Sequence, residues 1–265
     1  PALDSAKYKS FEDLVDIMSV LRGENGCPWD RKQNRESLKP YLLEETYEVL
    51  DAIEKDDIEL IVEELGDLLL QIVFHSQIAK EDGEFDINEV ITGIVTKLII
   101  RHPHVFGDVE ATSESGALKS WEASKRKQKG IEGYTQTLKD IPQMLPSLIR
   151  SYKVQQKAAL AGFDWDNTDD VFAKVREEYE ELAEVYKTGN KAIIEEELGD
   201  LLFSIVNVSR FLKVQPELAL RGTIEKFIKR FAYIEAKALQ SGKKLDKMSL
   251  QEMDKLWEEA KINRI

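Results

Sequence analysis

The sequence has 265 residues, 33% of them charged and 42% hydrophobic, with a net charge of -13 from 37 basic and 50 acidic side chains. This length admits one large domain or two small ones, and the apolar share suits a folded chain rather than a disordered one. The acidic balance argues against electrostatic capture of nucleic acid, no apolar run approaches a membrane span, no charged-then-apolar leader opens the sequence, and Cys27 alone permits neither an internal disulfide nor a cysteine zinc cluster.

Helical periodicity dominates, and alternating β-branched runs closed by Asn-Gly or Asp-Gly turns are missing. A first helix is expected over about residues 9–22. Leu43, Tyr47 and Leu50 then recur at i, i+4 and i+7, with Ser37 and Pro40 as start signals and Lys55-Asp56-Asp57 as a break. The next helix runs from about Ile58 to Ala79, with Ile61, Leu65, Leu68, Leu69 and Ile72 on its apolar side, and another spans about 87–101. Between Lys125 and Pro146 the period lapses into polar residues punctuated by Gly130, Gly133, Pro142 and Pro146, which is linker chemistry. Further helices are expected at about 147–160, from a Thr168 cap to about Lys187 with Gly189 ending it, from about Ala192 to Leu212, and at about 217–240. The reading is all-α, two tandem helical bundles of about four helices each.

The duplication is explicit. Glu-Glu-Leu-Gly-Asp-Leu-Leu occurs at Glu63–Leu69 and again at Glu196–Leu202, an offset of 133. At that offset Glu44, Glu45 and Glu48 fall on Glu177, Glu178 and Glu181. With small shifts, Pro28-Trp29-Asp30 corresponds to Asp164-Trp165-Asp166, Lys97 and Arg101 to Lys226 and Arg230, and Trp121 and Lys125 to Trp257 and Lys261. All four tryptophans fall into matched pairs, so one domain is expected over 1–125, a linker over 126–145 and a second domain over 146–265. Acidity is uneven: residues 1–130 carry 27 acids against 16 bases, a net of -11, and residues 131–265 carry 23 against 21, a net of -2.

Glu45 and Glu48 are three apart and share a helix face, as do Glu64 and Asp67 on the next helix. Antiparallel packing of the two helices opposes these pairs, and four like charges there require a cation between them. Hard oxygen donors favour Mg²⁺, with Mn²⁺ as a possible substitute. A solvated acidic face is the plain alternative for residues 44–51. Asp67 and Asp200 weigh against it, since each sits within an apolar run where a charge is buried only if paired or metal-bound. Gly66 and Gly199, costly in mid-helix, suggest a close approach to the backbone. The three histidines, His75, His102 and His104, never follow a Glu by three residues, which excludes the di-iron pattern, and no third soft ligand supports zinc.

With these residues in view, the sequence resembles the MazG family of nucleoside triphosphate pyrophosphohydrolases over nearly its whole length. The family pattern Glu-Glu-x-x-Glu followed by Glu-x-x-Asp stands at Glu44–Glu48 with Glu64–Asp67, and at Glu177–Glu181 with Glu197–Asp200. Gly26-Cys27-Pro28-Trp29-Asp30 and Arg101-His102-Pro103-His104-Val105-Phe106 also look like the family's N-terminal half. The resemblance implies hydrolysis between the α- and β-phosphates to a nucleoside monophosphate and pyrophosphate. It implies Mg²⁺ ligands at Glu178, Glu181, Glu197 and Asp200, and in the first unit at Glu45, Glu48, Glu64 and Asp67. It further implies phosphate contacts from Lys174, Lys226 and Arg230, with Trp257 beside the nucleotide; the first-unit counterparts are Lys97, Arg101 and Trp121. Tyr41 stands where the second unit has Lys174, which puts the activity of the first unit in doubt.

Glu177, with Glu44 in the first unit, is the candidate base to orient the attacking water. Trp121 and Trp257 suit stacking on a base, against the plain alternative of core packing, and Trp29 and Trp165 read as structural. The expected protein is thus a Mg²⁺-dependent, broad-specificity nucleotide-housekeeping enzyme of the cytoplasm. The competing reading is a helical interaction protein whose acidic first unit binds a basic partner without turnover. A homodimer is expected, from the apolar helix faces and from the resemblance.

Overall fold

The computed structural model describes residues 10–107, 113–128, 130, 133–263 and 265. Among them every regular element is helical, and the chain divides into two compact units, Pro1–Lys127 and Gln128–Ile265. No helix is long and apolar enough to cross a membrane among the described residues.

The first unit contains α1 (Phe11–Arg22), α2 (Pro28–Lys32), α3 (Arg35–Lys55), α4 (Ile58–Glu81), α5 (Ile87–Arg101), α6 (Pro103–Phe106) and α7 (Glu114–Gln128). Ser10 caps α1, accepting from the Asp13 amide at 3.1 Å; residue 9 of the expected helix lies outside the described residues. α3 begins before the expected start because Asn34, not Ser37, is its cap. The Asn34 side chain accepts from the Ser37 amide at 3.0 Å, and the Ser37 hydroxyl accepts from the Asn34 amide at 2.9 Å. Pro40 therefore falls inside the helix. Asp56, at φ 53°, reverses the chain, and the Asp57 carboxylate accepts from the Leu60 amide at 3.2 Å to start α4. With so short a link α4 doubles back along α3, and this is the most extensive helix pairing of the unit. Met18, Leu38, Val73, Phe74 and Ile78 from α1, α3 and α4 form the core.

The second unit contains α8 (Tyr134–Lys139), α9 (Ser147–Leu160), α10 (Thr168–Val185), α11 (Lys191–Phe211), α12 (Pro216–Gln240) and α13 (Leu250–Ile262), with a 3₁₀ turn at Leu245–Lys247. α10 and α11 repeat the pairing of α3 and α4, and α9 packs on α11 and α12. Asn167 rather than Thr168 caps α10, its side chain accepting from the Asp170 amide at 3.0 Å. The helix ends at Val185, and Gly189 supplies a left-handed residue (φ 70°) in the following loop. The stretch 126–145 carries α8, which packs on α9 as part of the second unit.

Both units leave apolar helix faces open. On α5, Ile91, Ile94, Val95 and Leu98 are 40–47% exposed. On α12, Ile224, Phe227, Ile228 and Phe231 are 40–56% exposed.

Candidate metal centre

The pairing of α3 with α4 brings Glu45, Glu48 and Glu64 together, one carboxylate oxygen from each lying within 4.8 Å of the others. The second unit does the same with Glu178, Glu197 and Asp200 on α10 and α11. Three-residue spacing turns Glu45 and Glu48 to one side of α3, and the short reversal at Asp56 brings Glu64 against them. The fourth member of each quartet acts on the same group. Glu45 is held above the ordinary carboxylate range by desolvation first, then by the charge of Asp67 and its contact with Glu48. Glu64 is raised by desolvation, then by Glu48, Glu63 and Asp67. Glu181 is raised by desolvation, then by a hydrogen bond with Glu178 and the charges of Glu178 and Glu197.

The two centres differ in their local cation. Lys174 Nζ lies 2.6 Å from Glu177 Oε1 and 2.7 Å from Glu178 Oε1, and these two partners hold the lysine far into its charged form. Tyr41 occupies that place in the first unit and meets Trp29 edge to face, ring centroids 5.8 Å apart. Glu44 and Glu177 are both exposed.

Burial departs from the expectation. Glu178 is the sequestered carboxylate, at 6% exposure, whereas Asp67 and Asp200 are exposed. A Cβ built on Gly66 or Gly199 meets nothing within 4 Å, so the chain's own backbone does not approach there. The physical reason is that the flanking apolar run is an open helix face rather than a core: Leu65 and Leu198 are 50% and 45% exposed.

The basic and aromatic candidates form a second, repeated arrangement. The buried Arg101 guanidinium lies 5.1 Å from the Trp121 ring centre, and Arg230 lies 5.5 Å from that of Trp257. Trp257 also packs on Phe227, and Arg230 Nε donates to the Ile265 carbonyl at 3.0 Å. Lys97 and Lys226 are exposed on α5 and α12. Within one chain these residues are drawn to one another, whereas Lys174 joins the carboxylates directly. Trp29 and Trp165, expected to be structural, are 50% and 44% exposed.

A cavity of about 570 Å³ adjoins the second centre, lined in part by Lys174, Glu178 and Asp200. Gln155, Phe163, Asn207 and Arg210 also line it and were not among the expected site residues. A signal for two of them was present: at the 133 offset, Asn207 and Arg210 fall on Phe74 and Gln77, among several departures between the repeats after Leu202.

The MazG nucleotide pyrophosphohydrolase domain matches this chain twice, over residues 33–106 and 167–233. The chain belongs to the MazG family. The two MazG segments take in α3 to α6 and α10 to most of α12, so each contains one carboxylate centre. A nucleoside triphosphate pyrophosphohydrolase/pyrophosphatase MazG of Thermotoga maritima is 46% identical over 251 residues, which cover 95% of each chain. A nucleoside triphosphate pyrophosphohydrolase of Escherichia coli is 43% identical over 261 residues, 96% of this chain and 98% of its own. The YabN protein of Bacillus subtilis is 46% identical over 255 residues, covering 96% of this chain and 52% of its own length.

The donor sets fit a hard divalent cation. Each cluster offers only carboxylate oxygens, and desolvation, then mutual repulsion, already push Glu45, Glu64 and Glu181 toward protonation, a tendency that a bound cation opposes.

Proposed function

We infer that this MazG chain hydrolyses nucleoside triphosphates between the α- and β-phosphates, releasing a nucleoside monophosphate and pyrophosphate, with Mg²⁺ as the working cation and Mn²⁺ as a substitute. The observation that carries the reading is the convergence of Glu178, Glu197 and Asp200 to within 4.8 Å beside a nucleotide-sized cavity. Glu178, Glu181, Glu197 and Asp200 would hold the metal, as would Glu45, Glu48, Glu64 and Asp67 in the first unit. Bound there, the cation supplies charge to offset the leaving pyrophosphate and lowers the pKa of a coordinated water.

The protein's own groups do the rest. Lys174 is already charged and tethered beside Glu178, where it can neutralise a phosphate oxygen. Glu177, exposed and bonded to Lys174, is positioned to accept a proton from the attacking water once that lysine turns to the phosphates. Glu44 is its counterpart, without a neighbouring lysine at Tyr41. Lys226 and Arg230, and Lys97 and Arg101, are assigned phosphate contacts, and Trp257 and Trp121 contact with the nucleotide. These groups occupy a separate helix face of each chain.

The open apolar faces of α5 and α12 support a homodimer in which that second group completes a site. Membership of the MazG family, beside pyrophosphohydrolase relatives, favours this reading over that of an interaction protein without activity. Product analysis is the test: monophosphate and pyrophosphate in equal amounts are expected, and orthophosphate with diphosphate as the sole products would overturn the reading. Combined Glu178→Gln and Glu197→Gln should abolish turnover, whereas an undiminished rate would move the activity to the first unit.

A further inference from the structure

Part of the lining of the cavity beside Glu178 departs from the sequence of the first unit. At the 133 offset Asn207 replaces Phe74, which is 3% exposed and packs with Met18 and Leu38 in the first core. A polar side chain thus stands where the duplicated scaffold has a core aromatic. Asn207 Oδ1 is engaged, accepting from Arg210 Nε at 3.1 Å and Nη2 at 2.9 Å, so its Nδ2 is the donor left for another group. Arg210 in turn clasps Asp164, which fixes the loop that presents Phe163 and Trp165.

Gln155 supplies a second, independent sign. It lines the cavity at 7% exposure, and its Nε2 donates to the Phe203 carbonyl at 2.8 Å, so the amide orientation is set. Its Oε1 is buried and has no hydrogen-bond partner. Buried acceptors are normally satisfied, and an orphan beside a cavity marks a place for a donor. Trp165, 44% exposed on the same lining, offers an aromatic surface to a planar group.

We propose that this cavity receives the nucleobase of the triphosphate whose phosphates face Glu178 and Asp200, with Gln155 Oε1 accepting from a base N–H and Asn207 Nδ2 donating to the neighbouring acceptor. The proposal rests on the assignment of a nucleoside triphosphate to the second centre. An adjacent N–H donor and acceptor are shared by adenine, guanine, cytosine and uracil, so this pair selects a nucleobase edge without selecting one base.

The test uses the full chain with Glu45→Gln and Glu64→Gln, which removes the first centre, and reads affinity with non-hydrolysable α,β-methylene analogues in Mg²⁺. The probes are the analogues of ATP and of purine riboside triphosphate, the latter having no base N–H at all. The background protein should bind the adenine analogue at least tenfold more tightly, and Gln155→Leu should erase that preference by weakening the adenine analogue alone. Asn207→Phe, which restores the residue of the first unit, should weaken both analogues at least tenfold while leaving pyrophosphate affinity unchanged. Equal weakening of both analogues by Gln155→Leu, or no preference in the background protein, would overturn the base site. A preparation that discriminates between the analogues as expected but converts no hydrolysable ATP to AMP and pyrophosphate in Mg²⁺ would instead overturn the activity and leave the base site standing.

Discussion

At the scale of single residues, the carboxylate centres are built against their own stability. Glu45 and Glu64 have folded values above the unfolded one, so near and above about pH 4.3 the metal-free fold retains protons that the unfolded chain releases. Their contribution to stability therefore falls as pH rises through the raised range. Glu252, held at about 2 by Lys243 and the Ser249 backbone and side chain, acts with the opposite sign and loses its contribution as pH falls. The difference between variants isolates the first effect. In metal-free buffer, Glu45→Gln with Glu64→Gln should melt above the parent at pH 7, and the gap should close toward pH 4. Mg²⁺ should reverse the order at pH 7, since it can stabilise only the parent's first centre; unchanged melting order on adding Mg²⁺ would contradict a metal site there.

At the scale of elements, the long helices were legible because their apolar positions keep the helical period and their starts carry polar caps. Register at the ends was not, since Asn34 and Asn167 took the cap from neighbours equally suited to it. α8 is only six residues long, too short for periodicity to show. α13 was missed although its Ser249-x-x-Glu252 capping box stands in the sequence. The carboxylate quartets were legible from spacing and repetition, but burial was not: an apolar run reads the same whether it faces a core or an open surface. Gln155 escaped for a related reason, because an orphaned acceptor exists only once Phe203 and the cavity have been brought to it. What holds α1, α3 and α4 together is ordinary packing. Leu38 is 1% exposed, and Leu38→Ala should cost about 3 kcal/mol in denaturant unfolding, the range for a large-to-small core change.

At the scale of the whole molecule, the proposed homodimer rests on the exposed apolar faces of α5 and α12, which a second copy would cover. Ile94→Asp with Leu98→Asp should shift sedimentation from dimer toward monomer and lower turnover with it. A wild-type chain that sediments as a monomer would remove the basis for completing a site across copies. The duplication also carries a consequence for cells short of divalent cations. Lys174 is a tethered counter-ion, so the second quartet keeps one positive charge of its own when the medium supplies none, while Tyr41 leaves the first quartet without such a bonded cation, with Lys55 acting on Glu64 only through its charge. The two halves should accordingly part company under a chelator. Amide exchange should quicken in α3 and α4 at concentrations that leave α10 and α11 protected, making the first half the earlier casualty of cation starvation.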